Sequence, residues 1–515
     1  MHRLKSVLLK RKAGWGHYWL RRRGRHEVRV GTGWLGALAR RCAMRKTTRR
    51  GFLESTGKAV TAAVVGAELF GAGRAFGGPV FVRRNVDKLK ANDPILVSYR
   101  KAIKKMRALP DTNPLSWAFQ AAIHGTTITP VLPDWNKCEH GTEFFWSWHR
   151  MYLYWFERIV RKMSEDKDWA IPYWNWAPGS DFKLPAPFRD TTSDLYTVHR
   201  DPAINAGTGS LNASAVSVTG SFALTNFFTT NLNIQGPHGS VHLEVGGTPA
   251  GWMWSVATAG QDPIFYVHHS NVDRLWDLWL AQGGGRSDPT TDATWTGKTY
   301  TFFDESGTAV KMSACEILRA AEQLHYKYEG EPPQVLEFCK RRRPERIWEF
   351  EQVVLFQLPG PPVELGGQEV TVPIPLREIR EKAANVAASA SDMLLLQLEG
   401  IEAEQQPGVA WGIWVGLGKG AEAVAEIPSH VGALSLFGAG IRGEMGHGHE
   451  FMPAKAVFPL NRAMQEALKS GGESVEIRFV PLGILVDGKA TRPEVKAPVR
   501  IGKISLVIEK GTEAK

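Results

Sequence analysis

Of fifteen histidines in the chain, six fall in arrangements where imidazoles could share metal ions. In His238-Gly239-Ser240-Val241-His242 two of them are four residues apart. On a helix they occupy one face and can grip a single ion. His268 and His269 are adjacent, about 100° apart on a helix, so one of the two faces an ion held by His238 and His242. His140 and His149 are nine apart, which on one continuous helix would place them roughly opposite. Both reach one ion only if His140 precedes the helix, and Gly141 permits that break. His124 follows a helical stretch, Trp117–Ile123, and stands just before Gly125. Such clusters point to metal chemistry run by neutral imidazoles, with no carboxylate among the donors.

The surrounding pattern supplies elements to carry these residues. Leu96–Leu109 reads as an amphipathic helix closed by Pro110. Phe144–Met163 reads as a long helix with aromatic residues on most faces, hence buried. Asp262-Pro263 opens a helix to about Leu280, with proline in its first turn, and Gly283-Gly284-Gly285 ends it. Residues 331–345, with Pro332-Pro333 and Lys340-Arg341-Arg342-Arg343, read as an exposed, protease-sensitive linker. Beyond it the period changes. Val353–Phe356, Val370–Ile374, Met393–Leu398, Val409–Val415, Val475–Val480 and Ile504–Ile508 read as strands, with a helical interruption at Leu460–Leu468. The expected fold is a mainly α core domain, residues 76–330, holding the metal centre in a helix bundle. An all-β sandwich-like C-terminal domain, residues 346–515, follows.

The residues from His140 to Glu157 resemble the first copper signature of tyrosinases, catechol oxidases and molluscan haemocyanins. Asp262–Asp273 resembles the second, in which the latter histidine of the pair is the ligand. That resemblance, covering Val80 to the C-terminus, implies two copper ions, one held by His124, His140 and His149 and one by His238, His242 and His269. His268 would be a neighbour. Trp146 departs from the smaller apolar residue usual there. An all-imidazole, charge-poor donor set suits copper better than the mixed carboxylate sites of di-iron proteins. Cys138-Glu139-His140 resembles a Cys-x-His whose sulfur forms a thioether to the ring; a free buried thiol is the alternative. Arg83-Arg84 and Tyr326-Lys327-Tyr328 resemble motifs tying the core's ends together, with a cation–π contact between them. Ile171–Trp176 resembles the family's buried aromatic segment.

The same match places Val256 as a small gate over the first copper, Gly239 behind the first ligand of the second copper, and Leu243 at the entrance. Efficient phenol hydroxylases often carry Asn at the Gly239 position, helping a glutamate hold a water. Here no Glu lies in Asn226–Pro237, and Gln235 is the nearest candidate, so oxidation of o-diphenols is expected over hydroxylation of monophenols. The C-terminal domain resembles that of zymogen forms, in which a side chain enters the substrate pocket. Phe451 is the first candidate and Phe437 the second, because an aromatic ring mimics a phenol. Met445, His447 and His449 could pass copper inward or simply form a solvated loop.

The implied function is a type-3 dicopper phenol oxidase that turns o-diphenols to o-quinones with O2 and is made latent. A haemocyanin-like oxygen binder, an o-aminophenol oxidase and a zinc hydrolase are the rivals. The zinc reading lacks a His-Glu-x-x-His base. The chain's net charge of +11 comes from its first fifty residues, which hold sixteen Lys/Arg against Glu27 alone; the remainder is acidic. The expected partners are therefore phenolic small molecules and O2, not nucleic acid. Residues 1–75 read as a leader. Thr48-Arg49-Arg50-Gly51-Phe52-Leu53 resembles a twin-arginine export signal, with cleavage after Ala75. Residues 1–43 read as an over-extended start, Met44 being the natural one. Export to the periplasm or medium by the twin-arginine machinery, a bacterial source and an activating protease follow as expectations. Four cysteines, one of them Cys42 in the leader, make no disulfide framework; whether Cys315 and Cys339 pair stays open.

Overall fold

The computed structural model describes residues 80–177, 180–247, 251–330, 348–377, 379, 392–417, 429–442, 451–460 and 473–513. The leader, the linker at 331–345 with Cys339, the Met445/His447/His449 group and the expected helix beyond Leu460 lie outside them.

The first half is helical, and its helices begin where the local chemistry says they should. Asp93 accepts from the Ile95 amide to start Pro94–Arg107. The Ser116 hydroxyl caps Trp117–His124 through the Phe119 amide. Asp262 caps Pro263–Ala281, with proline at its first position. Phe145–Ser164 runs twenty residues and buries most of its length. It packs on Pro263–Ala281 through aromatic stacks. Trp146 lies 5.7 Å from Trp276 with planes 6° apart, and Phe156 lies 3.6 Å from Tyr266 at 5°. Each such pair adds about 0.5–1.5 kcal/mol beyond its buried area. The hairpin Thr299–Phe303/Ala309–Ser313 completes this wall; sequence reading did not anticipate it. Phe81–Arg83 pairs in parallel with Tyr326–Tyr328, so the two ends of the helical region meet.

The second half is a sandwich of two antiparallel sheets, as the strand periodicity predicts. One has the order Ser429–Leu434, Ala410–Leu417, Ser474–Leu482, Val370–Pro375. The other runs Ala454–Pro459, Met393–Glu402, Val499–Glu513, Trp348–Gln357, with Val363–Leu365 added along the long last strand. Leu396, Ile401, Ile504 and Leu506 of one sheet and Trp411, Ile413, Ile477 and Phe479 of the other share one apolar core.

The sandwich is joined to the helical region by backbone as well as side chains. Leu485–Val486 pairs antiparallel with Gly209–Ser210. The Asn233 amide donates to the Val457 carbonyl (2.5 Å) and that of Asn212 to Gly483 (3.0 Å). Buried Glu509 accepts from Asn226 and Thr229.

Candidate metal centre

Each histidine is delivered by an element whose position has a local cause. His124 ends its helix because Gly125 lies against the Val256 segment, where an added Cβ would fall 2.3 Å from the Val256 carbonyl oxygen. His140 sits in a loop turned by Gly141, at φ +71°, so it precedes the helix carrying His149, as its spacing required. The Gly141 amide donates to Gln235 Oε1 at 2.6 Å, pinning that loop to the helix of His238 and His242. His268 and His269 lie on the Pro263–Ala281 helix.

Two clusters result: His124, His140 and His149 in one, His238, His242, His268 and His269 in the other, with ring nitrogens in each within 4.8 Å of one another. The clusters adjoin. His149 and His269 stack at 4.4 Å with planes 4° apart, and His140 lies 5.6 Å from His238. Phe265 fills the space between His124 and His269, and Phe145 that between His149 and His238.

The proton positions follow from the partners. His124, His149 and His242 place Nδ1 on the carbonyls of Val256 (3.1 Å), Phe145 (2.7 Å) and Met253 (3.1 Å). A carbonyl only accepts, so Nδ1 carries the proton and Nε2 presents a lone pair. Nε2 of His124, His140, His149 and His238 is buried with no hydrogen-bond partner among the described residues. Nε2 of His242 lies 3.3 Å from Nε2 of His269, two nitrogens directed at one space. Burial lowers the pKa of all seven rings, and for His140, His149, His238, His242 and His269 neighbouring imidazoles add to it. His124 and His268 fall to about 3. The rings are therefore neutral and ready to ligate. Orphaned, buried lone pairs in two carboxylate-free clusters fit a pair of borderline-soft ions.

Behind the histidines lies a buried charge cluster of which sequence reading found only the ends. Arg83 donates to Glu157 (2.9 Å), Asp273 (3.0 Å) and Tyr328 (2.8 Å), and its guanidinium sits 3.5 Å over the Tyr326 ring. Arg150, next to His149, bonds Asp273 and Asp277. Asp273 lies one turn beyond His269 and also accepts from the Tyr326 hydroxyl at 2.5 Å. Burial alone would raise the Asp273 pKa; Arg150 and Arg83 hold it below its ordinary value. The cluster thus clamps together the two helices that carry His149 and His269. An Arg directly after one candidate ligand and an Asp four residues after another were the available signals.

The other sequence-named positions are distributed as follows. Cys138, Val256 and Phe451 line a cavity of about 350 Å³ together with His124 and His140. Leu243 instead lines a separate cavity with Glu244, Leu482 and Gly483, not the opening beside the histidines. Phe451, the first lid candidate, is on the wall of the cavity beside His124 and His140 and lies under Arg442, at 4.3 Å. Phe437 lies against the histidines themselves. Its ring stacks on His242 at 3.9 Å and 10°, and meets His140 at 5.6 Å and His238 at 5.7 Å edge-on. The reason is placement: Phe437 ends the segment that leaves the sheet over Gly239, where an added Cβ would meet Ser435 Oγ at 2.4 Å and Phe437 Cβ at 3.0 Å. Gln235 spends its amide on Gly141, Thr142 and Asn231 backbone.

Two adjoining buried histidine clusters in a helical core, covered by a β-sandwich that inserts an aromatic ring, define the class of protein. The profile of the common central domain of tyrosinase matches residues 114–223 and 208–282, and that of the polyphenol oxidase middle domain matches residues 289–339. The chain belongs to the tyrosinase/polyphenol oxidase family. It is 32% identical over 282 residues to the latent form of a chloroplastic polyphenol oxidase of Prunus armeniaca, covering 47% of either chain. It is 32% identical to tyrosinase HcTyr1 of a Hahella strain (48% of this chain, 62% of the relative) and 27% to a polyphenol oxidase of Malus domestica (74% and 72%). The match thus spans about half the length of the first of these relatives. In fold it is similar to latent aurone synthase (TM-score 0.60, 21% identity, 86% of this chain and 91% of that one). It is likewise similar to latent apple tyrosinase (TM-score 0.56, 23% identity, 85% and 99%).

Proposed function

We propose that the chain is a type-3 dicopper oxidase of o-diphenols, held latent by its own C-terminal domain. The observation that carries this reading is the pair of neutral histidine clusters with the Phe437 ring stacked on one of them. His124, His140 and His149 would hold one copper and His238, His242 and His269 the other. His269 is preferred to His268 because its Nε2 faces that of His242, while His268 packs toward Trp176 at 5.7 Å. Bound there, the copper pair supplies the two-electron couple between phenol and O2. Two catechols give two o-quinones while one O2 is reduced to two waters.

The protein's part is positional. Carbonyl-anchored Nδ1 atoms fix the ring tautomers, and Phe145 and Phe265 keep the imidazoles from turning. A phenol ring would take the place of Phe437, face to face with His242, with Val256 leaving the first cluster's side open. Gly239 and the fully engaged Gln235 leave no side chain there to hold a water against a phenol hydroxyl, which supports diphenol oxidation over monophenol hydroxylation. A thioether from Cys138 to His140 would lock that ring. Export through the twin-arginine route and activation by cleavage in residues 331–345 complete the proposal; both segments lie outside the described residues. No helix among the described residues is long and apolar enough to cross a membrane.

The test is oxygen uptake by the copper-loaded full chain on a catechol and on its matching monophenol, with metal content determined. Two coppers per chain and quinone formation are expected, with Phe437→Ala oxidising catechol at least about tenfold faster, a difference of about 1.4 kcal/mol in access to the site. Reversible oxygen binding with no quinone, in Phe437→Ala as well, would make the protein an oxygen binder. Preferential zinc loading with no oxygen uptake would sink the reading altogether.

A further inference from the structure

Phe437 stacks on His242 only if the chain before and after it is held in one register. That register has a visible cause. Going along the sandwich segment from Val431 to Ala439, every second residue lies against a glycine of the helical core. An added Cβ on Gly220 would fall 2.5 Å from the Val431 carbonyl oxygen, and one on Gly236 would fall 2.1 Å from that of Ala433. One on Gly239 would meet Ser435 and Phe437, and one on Gly141 would lie 2.9 Å from Ala439 Cβ. From the other side, a Cβ on Gly438 would enter the His140 ring at 2.5 Å. The first two obstacles are main-chain atoms of a paired strand, which cannot rotate aside as a side chain can. Meanwhile Leu434 and Leu436 turn into the sandwich's own core.

We infer that Gly220, Gly236, Gly239 and Gly141 form a docking track for a strand end and the turn that follows it. The occupant is the chain's own Val431–Ala439, and the track sets the register that places Phe437 on His242. The inference rests on the latency reading above and deepens it. Gly239 acquires a second meaning: its lack of a side chain is demanded by closure, whatever it does for substrate choice. The track also states what fits it: strand backbone across Gly220 and Gly236, then a turn with small side chains at 435 and 439, against Gly239 and Gly141. Larger side chains at 435 or 439 would be excluded on the same grounds as a Cβ on the core side.

Gly220 is the discriminating position, because it lies on the short Thr219–Ala223 helix, which carries no histidine of either cluster. In the full-length chain, Gly220→Ala should raise catechol oxidation about 5- to 30-fold, the shift in a two-state balance that one modest steric misfit produces. Independently of activity, amide hydrogen exchange of residues 429–437 should accelerate in the metal-free protein by a similar factor, while exchange in Phe145–Ser164 and Pro263–Ala281 stays as in the parent. Gly239→Ala should behave likewise, and Gly239→Ala/Ser435→Gly, which removes the Oγ nearest the new methyl, should restore slow exchange. Unchanged exchange at 429–437 in both single variants overturns the track. So does acceleration throughout the core, which would mark a folding defect instead. Phe437→Ala separates the two readings. If it activates the chain while Gly220→Ala changes neither readout, latency stands and the track falls. If it leaves a copper-loaded chain inactive, latency falls, and exchange at 429–437 still decides the track.

Discussion

His238→Ala is expected to lose one of two coppers per chain and to reduce catechol oxidation by at least about a hundredfold, since even partners behind a metal ligand are worth 10–100-fold. The His238 ring is fully buried, and neither of its nitrogens has a hydrogen-bond partner among the described residues. It lies 4.7 Å from the His242 ring and 4.9 Å from that of His269, at the seam with His140. A side chain so placed has little to do in the fold except present a lone pair. Removing it leaves two imidazoles and a space the size of a ring. Metal analysis on the purified variant reads the loss directly. His268→Ala supplies the contrast: with His269 as ligand, it should keep both coppers. Equal copper loss in His268→Ala and His269→Ala would refute that choice, and full loading of His238→Ala would refute the ligand set.

The second large effect is on stability. Asp273→Ala should destabilise the protein by about 3–5 kcal/mol, the cost of removing one partner from a buried ion cluster. In a domain of this size that is a fall in Tm on the order of 10 °C. Asp273 accepts from Arg83, Arg150, Tyr326 and Tyr328 at once. Without it two guanidiniums remain fully buried, one with Glu157 and one with Asp277. Because Arg150 follows His149 and Asp273 is one turn from His269, copper should also bind less tightly in the folded variant. Thermal unfolding of the metal-free and metal-loaded protein measures both effects. A Tm within about 2 °C of the parent would show that the cluster does not clamp the two helices, since a shift that small is worth only about 1 kcal/mol.

Much of this was legible in the residues because it depends on short stretches of chain. Asp262-Pro263 announces a helix start by capping and by a fixed φ, and the helix begins there. The strands of the sandwich lie where alternating apolar residues put them, although Ser429–Leu434 and Ala454–Pro459 went unread. Both are short, and the first carries Gly432 at φ +151° in a strand of mixed polarity. The four-residue spacing of His238 and His242 and the need for His140 to stand ahead of its helix are likewise local geometry.

What the sequence determined by itself, then, is the set of elements and the pool of candidate ligands, because capping, periodicity and i,i+4 spacing act over a few residues. Only the tertiary structure decided which groups meet. It brought His124 to His140 and His149, set Asp273 between Arg83 and Arg150, turned Leu243 toward a different cavity, and committed Gln235 to the backbone. It also set Phe437 on His242, and Phe451 under Arg442 at the wall of the neighbouring cavity. Both are aromatic and lie in the same stretch of chain, and nothing in their immediate neighbours separates them. The difference is made some two hundred residues away, where glycines of the helical core admit the strand in one register, and that register carries Phe437 to the histidines.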